Sequence, residues 1–235
     1  MSKEPPFLDV LVVAPHPDDA ELGMGGAIAK LLQSVRRVGV LDLTNGEPTP
    51  FGTIETREAE TALATEILGL TWRGNLDLPN RSLQATLENR EKLASVFRLT
   101  QAKWIFAPYW EDAHPDHVAA LSLIEDARFW AKLSKTNMPG ERYHPKRIYN
   151  YYCVHLKQSL NPAFILDISD FWSIKKQAIE AYRSQFFIGR EEEQPSLTER
   201  IETEAKYWGH KIGVQYGEPF HCKEPLGLSN LNSLI

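Results

Sequence analysis

The segment His16-Pro-Asp-Asp19 sets one imidazole and two carboxylates within four residues. These are groups that a hydrolytic zinc uses, with three protein ligands of nitrogen and oxygen and a fourth position left to water. His16 and Asp19 can supply two of the three. Asp18, next to a ligand but free of the ion, is placed to take a proton from that water. A second segment, Asp112-Ala-His-Pro-Asp-His117, can supply the third ligand. Pro115 suits the first turn of a helix, so His114 and His117, three residues apart, point toward a similar side near its start. One of the two can bind the ion while the other works on the substrate. Asp116 can orient a histidine through the ring nitrogen not engaged in chemistry; the plainer reading is a carboxylate that the helix dipole favours. So many ionisable groups brought together would repel or demand costly burial, and a divalent cation both neutralises and uses them. Zinc is the expected ion, with iron(II) as the alternative because it occupies similar nitrogen and oxygen sites. No organic cofactor is required.

The two segments act together only if the chain brings them to one place. Residues 8–14 form a nearly continuous apolar run, the pattern of a strand buried on both faces in a parallel sheet, and it stops at Pro15 just before His16. Apolar residues at helical spacing over 21–32, then a second buried strand over 38–43, complete a βαβ unit. Asn45-Gly46, Pro48 and Pro50 mark a loop, a helix follows over 56–68 with Gly69 closing it, and 72–76 reads as a third strand. A helical pattern over 88–99 precedes another short buried strand over 104–108, which ends just ahead of the second histidine segment. Further on, 147–154 and 164–168 read as strands, and 171–185 and 196–212 as helices, the last stopped by Gly213. This alternation predicts an α/β fold, an open, mostly parallel sheet with helices on both faces, as a single domain over 1–235. Its ligand crevice lies at the carboxyl ends of the strands, where both histidine segments fall.

Composition narrows the partners. The 26 basic against 31 acidic residues leave a formal net charge of −5, which offers nothing to a polyanion, so nucleic acid is not an expected partner. The first apolar run is too short for a signal or membrane segment, so no membrane association and a cytoplasmic location are expected. Cys153 and Cys222 lie far apart without CxxC spacing, which suggests neither a disulfide framework nor a thiolate zinc cage.

At the histidine segments the chain resembles the PIG-L/LmbE-like deacetylase superfamily, whose signature is a strand followed by A-H-P-D-D and a later H-x-x-H. Here the first part reads Ala14-Pro-His-Pro-Asp-Asp19, with one proline ahead of the histidine. Glu21-Leu-Gly-Met-Gly-Gly26, Asp42-Leu-Thr-Asn-Gly-Glu47, Gly52-Thr-Ile-Glu-Thr-Arg57, Leu76-Asp-Leu-Pro79, Phe106-Ala-Pro-Tyr-Trp-Glu-Asp112 and Ala181-Tyr-Arg-Ser-Gln-Phe186 are similar to the bacillithiol-biosynthesis branch, which contains N-acetyl-glucosaminyl-malate deacetylases. The resemblance implies a Rossmann-like sheet, a small-molecule amino-sugar substrate, and a homo-oligomer, in many members a hexamer. It implies His16, Asp19 and His117 as zinc ligands, Asp18 as general base, and His114 as the group that stabilises the oxyanion or protonates the leaving amine. It also implies that Arg57 contacts the sugar, a role its fork of donors suits. Two positions depart from the pattern. Ala113 stands where the bacillithiol branch commonly carries an arginine, a partner for malyl carboxylates, and 184–206 contains no tyrosine to assist the oxyanion.

Within the enzyme class the rivals are an amidase acting on a thiol-sugar conjugate and a deacetylase of chitobiose or another amino sugar. Outside it, a dinucleotide-binding oxidoreductase fits poorly, because Ile28 takes the last glycine position and carboxylates fill the turn meant for a pyrophosphate. A non-catalytic metal-binding protein on the same fold has no use for Asp18 and His114. The plain reading of Arg57 is an exposed charge paired with Glu58 or Glu60, worth a few tenths of a kcal/mol. His144, His155, His210 and His221 lack a partner pattern and read as structural. Tyr149, Tyr151 and Tyr152 read as strand packing, whereas Tyr109 and Trp110 fall near enough to the second segment to line a pocket.

Overall fold

The computed structural model describes residues 4–34, 36–155 and 161–227. The first apolar run forms β1 (Val10–Ala14), α1 follows (Asp19–Gln33), and β2 (Val38–Asp42) lies parallel to β1 with Val10 opposite Val38. Next come α2 (Ile54–Leu68), β3 (Trp72–Asn75), α3 (Leu87–Thr100), β4 (Trp104–Pro108), α4 (Pro115–Ala131) and β5 (Arg147–Tyr151). Thr53 and Thr86 cap α2 and α3, each accepting a backbone N–H three residues on, a contact worth about 1 kcal/mol. Gly69, at φ 70°, ends α2 in the left-handed turn that glycine allows.

Among the described residues, seven strands run in the order β3-β2-β1-β4-β5-β7-β6. β1 to β5 are parallel, and β7 (Gly217–His221) inserts antiparallel between β5 and β6 (Phe164–Asp167). Side chains alternate between two apolar layers: Leu11, Val13, Leu41 and Ile105 face one layer with Leu93, Phe97, Leu123 and Ile124 of α3 and α4, while Val10, Val12, Val40 and Phe106 face the other with Met24, Ala27 and Ile28 of α1. Strand order reverses between β1 and β4, so a crevice opens at their carboxyl ends. Among the described residues no helix is long and apolar enough to cross a membrane.

Three features differ from the sequence pattern. The helix expected over 171–185 is divided into a 3-10 turn, α5 (Trp172–Glu180) and α6 (Arg183–Phe186), because Tyr182 leaves helical geometry at ψ 63° and sends its hydroxyl to Glu21 Oε1, 3.2 Å away. The strand expected over 147–154 stops at Tyr151, and the chain turns into a loop. Strand β7 had no sequence signal, yet its Glu218 resolves the glycine run in α1. That helix kinks at Met24 (φ −149°), and beyond the kink the N–H groups of Gly26 and Ala27 donate to the Glu218 carboxylate at 3.0 and 2.7 Å. Lys175 of α5 neutralises Glu218 at 2.6 Å, and α7 (Leu197–Lys211), opened by a Ser196–Glu199 capping box, packs behind β7. A side chain at Gly23 would stand 2.4 Å from the Tyr151 ring, so glycine there serves close packing.

Candidate active site and metal centre

His16 leaves β1 and His114 to His117 open α4 just past β4, so the crevice between those strands receives both segments. His16 Nδ1 and His117 Nε2 converge on one atom, Asp19 Oδ2, at 3.1 and 3.2 Å. The far nitrogen of each imidazole meets another carboxylate: His16 Nε2 lies 3.3 Å from Asp116 Oδ2, and His117 Nδ1 lies 3.1 Å from Asp112 Oδ2. Both nitrogens of His117 are fully buried, and among the described residues neither makes a well-angled hydrogen bond despite these short separations. That combination fits a shared cation: two ligand atoms at zinc–nitrogen and zinc–oxygen distances from a tetrahedral ion lie about 3.3 Å apart. With an ion held there, the outer carboxylates would orient the two imidazoles, as carboxylates do around protein-bound zinc. His16, His114 and Asp116 form a second grouping of metal-binding atoms, and Asp112, His117 and Cys153 a third. The first grouping, His16 with Asp19 and His117, is the one in which both imidazoles keep a carboxylate on the opposite nitrogen.

Electrostatics divides the two adjacent carboxylates. Burial opposes the charge on Asp19, but His117 and His16 outweigh it and hold its pKa well below the usual range. Burial pushes Asp18 up to about 7; Arg57 works against that rise and Asp19 adds to it. Asp18 also holds φ 122°, an unfavourable backbone region that costs of order 1–3 kcal/mol. Arg57 secures this turn from α2, giving hydrogen bonds from Nη1 to Asp18 Oδ2 at 2.8 Å and to the Pro17 carbonyl at 2.7 Å, while Nε binds Glu47 Oε1 at 3.2 Å. The guanidinium is thus buried rather than an exposed helix charge. Glu60 turns elsewhere, accepting hydrogen bonds from Ser184.

His114 is the N-cap of α4, and its Nδ1 accepts the Asp116 backbone N–H at 3.2 Å. An accepting Nδ1 leaves the neutral ring's proton on Nε2. Burial, then the nearby His16 and His117, lower its pKa and favour that neutral form. The Asp116 carboxylate also accepts backbone N–H groups of Arg81 and Leu83 at 2.7 and 3.1 Å, tying the loop after β3 to the site. One residue read as structural stands here as well: the exposed His155 ring lies 5.1 Å from that of His117 and 5.6 Å from that of His114. Cys153 approaches His117 from the same loop, and burial raises its thiol to about 11. His144, His210 and His221 lie outside these groupings.

Fold and site together define an α/β protein with a cluster of nitrogen and oxygen groups that could hold a metal ion at the strand-order switch. The family model described as PIG-L, GlcNAc-PI de-N-acetylase, matches residues 11–128, which include both histidine segments, and the chain belongs to that family. It is 32% identical to the diacetylchitobiose deacetylase of Thermococcus kodakarensis across 91% of this chain and 83% of that protein. Among solved structures it resembles the conserved protein TT1542 of Thermus thermophilus (41% identity, 94% and 97% of the two chains, TM-score 0.86). It also resembles the N,N'-diacetylchitobiose deacetylase of Pyrococcus horikoshii (28% identity, 96% and 88%, TM-score 0.77). A hydratase from Pseudomonas, GalB, shares the fold at 23% identity, which is a likeness of fold alone.

Proposed function

We propose that this protein is a metal-dependent N-deacetylase that hydrolyses the acetamide of an N-acetylglucosamine unit to a free amine and acetate. The observation that carries the reading is the convergence of His16 and His117 on Asp19, with Asp18 alongside but turned onto Arg57. In this reading His16, Asp19 and His117 hold the ion, zinc first and iron(II) as the alternative. When bound, the ion supplies a Lewis acid that polarises the acetyl carbonyl and makes a nearby water easier to deprotonate. Asp18 takes the proton from the attacking water, its raised pKa making it a stronger base than an ordinary carboxylate. His114 presents Nε2–H to the carbonyl oxygen as negative charge builds there, a role that its neutral form suits. Once Asp18 carries the proton, it is placed to return it to the leaving nitrogen. Asp116 positions His16 and His114, and Arg57 positions Asp18. Arg57 Nη2, which makes no hydrogen bond among the described residues and lies against Gly46, is the atom left for the sugar contact.

The substrate reading leans on two observations. Ala113 removes the arginine that would meet a malyl group, and two relatives are named for diacetylchitobiose. Diacetylchitobiose or a like conjugate is therefore favoured over N-acetylglucosaminyl-malate, with a thiol-sugar amidase as the remaining rival. A single domain, a cytoplasmic location and a homo-oligomer, up to a hexamer, belong to the same proposal. Amine release from N-acetylglucosamine, diacetylchitobiose and N-acetylglucosaminyl-malate tests it: turnover of the disaccharide above the malyl conjugate is expected, and the absence of amine from every substrate contradicts it.

A further inference from the structure

The loops leaving β4 and β5 carry a group of aromatic rings a few residues ahead of His114 and His155. Tyr109 and Trp110 lie on the β4 loop just ahead of Asp112, and Tyr152 lies on the β5 loop just ahead of Cys153 and His155. The loops are held together by hydrogen bonds from the Tyr109 N–H to the Tyr151 carbonyl and from Asn150 Nδ2 to the Pro108 carbonyl, each 2.9 Å. Tyr109 lies tilted against Trp110 with centroids 4.0 Å apart and 31° between planes, and it stands 4.6 Å from Tyr152. Tyr109 and Trp110 are partly exposed. Tyr152 is 9% exposed, and among the described residues its buried hydroxyl has no hydrogen-bond partner. An orphaned buried hydroxyl carries a penalty of about 1–3 kcal/mol, so a fold that keeps one beside a substrate site points to a group that arrives with the substrate.

Resting on the deacetylase reading above, we propose that Tyr109, Trp110 and Tyr152 form a subsite for a second, uncharged pyranose ring of the substrate. A pyranose presents a face of C–H groups that lies well on an aromatic ring and a rim of hydroxyls that can satisfy the Tyr152 oxygen. The shelf suits a neutral ring better than a dicarboxylate: its nearby cation, Lys223, stands 5.4 Å over Trp110 but is already paired with Glu125 at 2.7 Å. Ala113 adds no charge on the intervening loop. The ring enters by lifting Tyr109, the more exposed wall, away from Tyr152.

The test compares kcat/KM for diacetylchitobiose and N-acetylglucosamine in the wild type and in Tyr109→Ala, Tyr109→Phe and Tyr152→Phe, together with calorimetric binding of both sugars in an Asp18→Asn background. Trp110 is left alone because it also packs on the core of α3 and α4. The disaccharide-to-monosaccharide ratio is expected to fall about tenfold in Tyr109→Ala through KM, to recover in Tyr109→Phe, and to fall severalfold in Tyr152→Phe, as a stacking contact and a neutral hydrogen bond are worth. An unchanged ratio, or an equal loss on both sugars, overturns the subsite. If the wild type releases no amine yet the calorimetric preference for the disaccharide exists and vanishes in Tyr109→Ala, the subsite stands and the deacetylase reading falls. If the disaccharide binds no better than the monosaccharide, the subsite falls whatever the reaction.

Discussion

Arg57 Nη1 lies 2.8 Å from Asp18 Oδ2, which places a buried cation on the one carboxylate of the first segment that the candidate metal grouping leaves free. The pair joins α2 to the turn before α1 and acts on Asp18 in two ways. It holds the strained φ 122° turn and lowers a pKa that burial raises.

A pH dependence follows with a definite sign. As the proposed base, Asp18 must be ionised to accept a proton, so kcat/KM is expected to rise with pH through its pKa, at about 7 or below it once a bound cation adds its own field. Replacing Arg57 by Met removes a positive charge that favours the ionised form, so the acidic limb should move to higher pH. Arg57→Lys should move it less. A pH–rate profile of the three proteins checks this, and a limb that stays in place contradicts the pairing.

Asp116 should matter for metal more than for chemistry. It lies beside His16 Nε2 and gathers the N–H groups of Arg81 and Leu83. Asp116→Ala is expected to weaken zinc affinity by about 10–100-fold, as the loss of a carboxylate behind a ligand imidazole does. Asp116→Asn, which keeps an acceptor, should lose less. Competition against a chromophoric chelator measures both.

Much of this arrangement was legible in the sequence because the local signals agreed with the fold. The runs over 8–14, 38–43 and 104–108 are apolar on both faces, as buried parallel strands require, and each histidine segment sits at a strand end. What was not legible depends on distant partners. Strand β7 contains a glycine, a glutamate and a proline, and its Glu218 is buried only because Lys175 and the kinked α1 meet it there. The break near Tyr182 is invisible in helical spacing that continues across it. His155 stands alone in the sequence and joins the site only because β5 ends early. Arg57 had neighbouring glutamates as obvious partners, yet it bonds to Asp18, 39 residues away.

Glu218 gives a stability prediction independent of catalysis. Glu218→Gln leaves Lys175 buried without its counter-charge and weakens the acceptor for two helix N–H groups. A loss of about 3–5 kcal/mol is expected, or on the order of 10 °C in Tm for a chain of this size. Adding Lys175→Met to that variant should recover part of the loss. Thermal denaturation followed by circular dichroism reads both, and a Glu218→Gln protein as stable as the wild type contradicts the account of α1.

The central claim is that His16, Asp19 and His117 hold one catalytic ion beside Asp18. It is tested most directly by stripping the protein with a chelator, restoring zinc in measured steps, and following bound zinc and acetate release from diacetylchitobiose together in the wild type, Asp18→Asn and His117→Ala. The account predicts that activity rises with zinc to a plateau at one ion per chain, that Asp18→Asn binds the ion but falls by about 10²–10⁴ in kcat, and that His117→Ala fails to retain it. Full activity in the stripped protein, or in His117→Ala without bound metal, would contradict it.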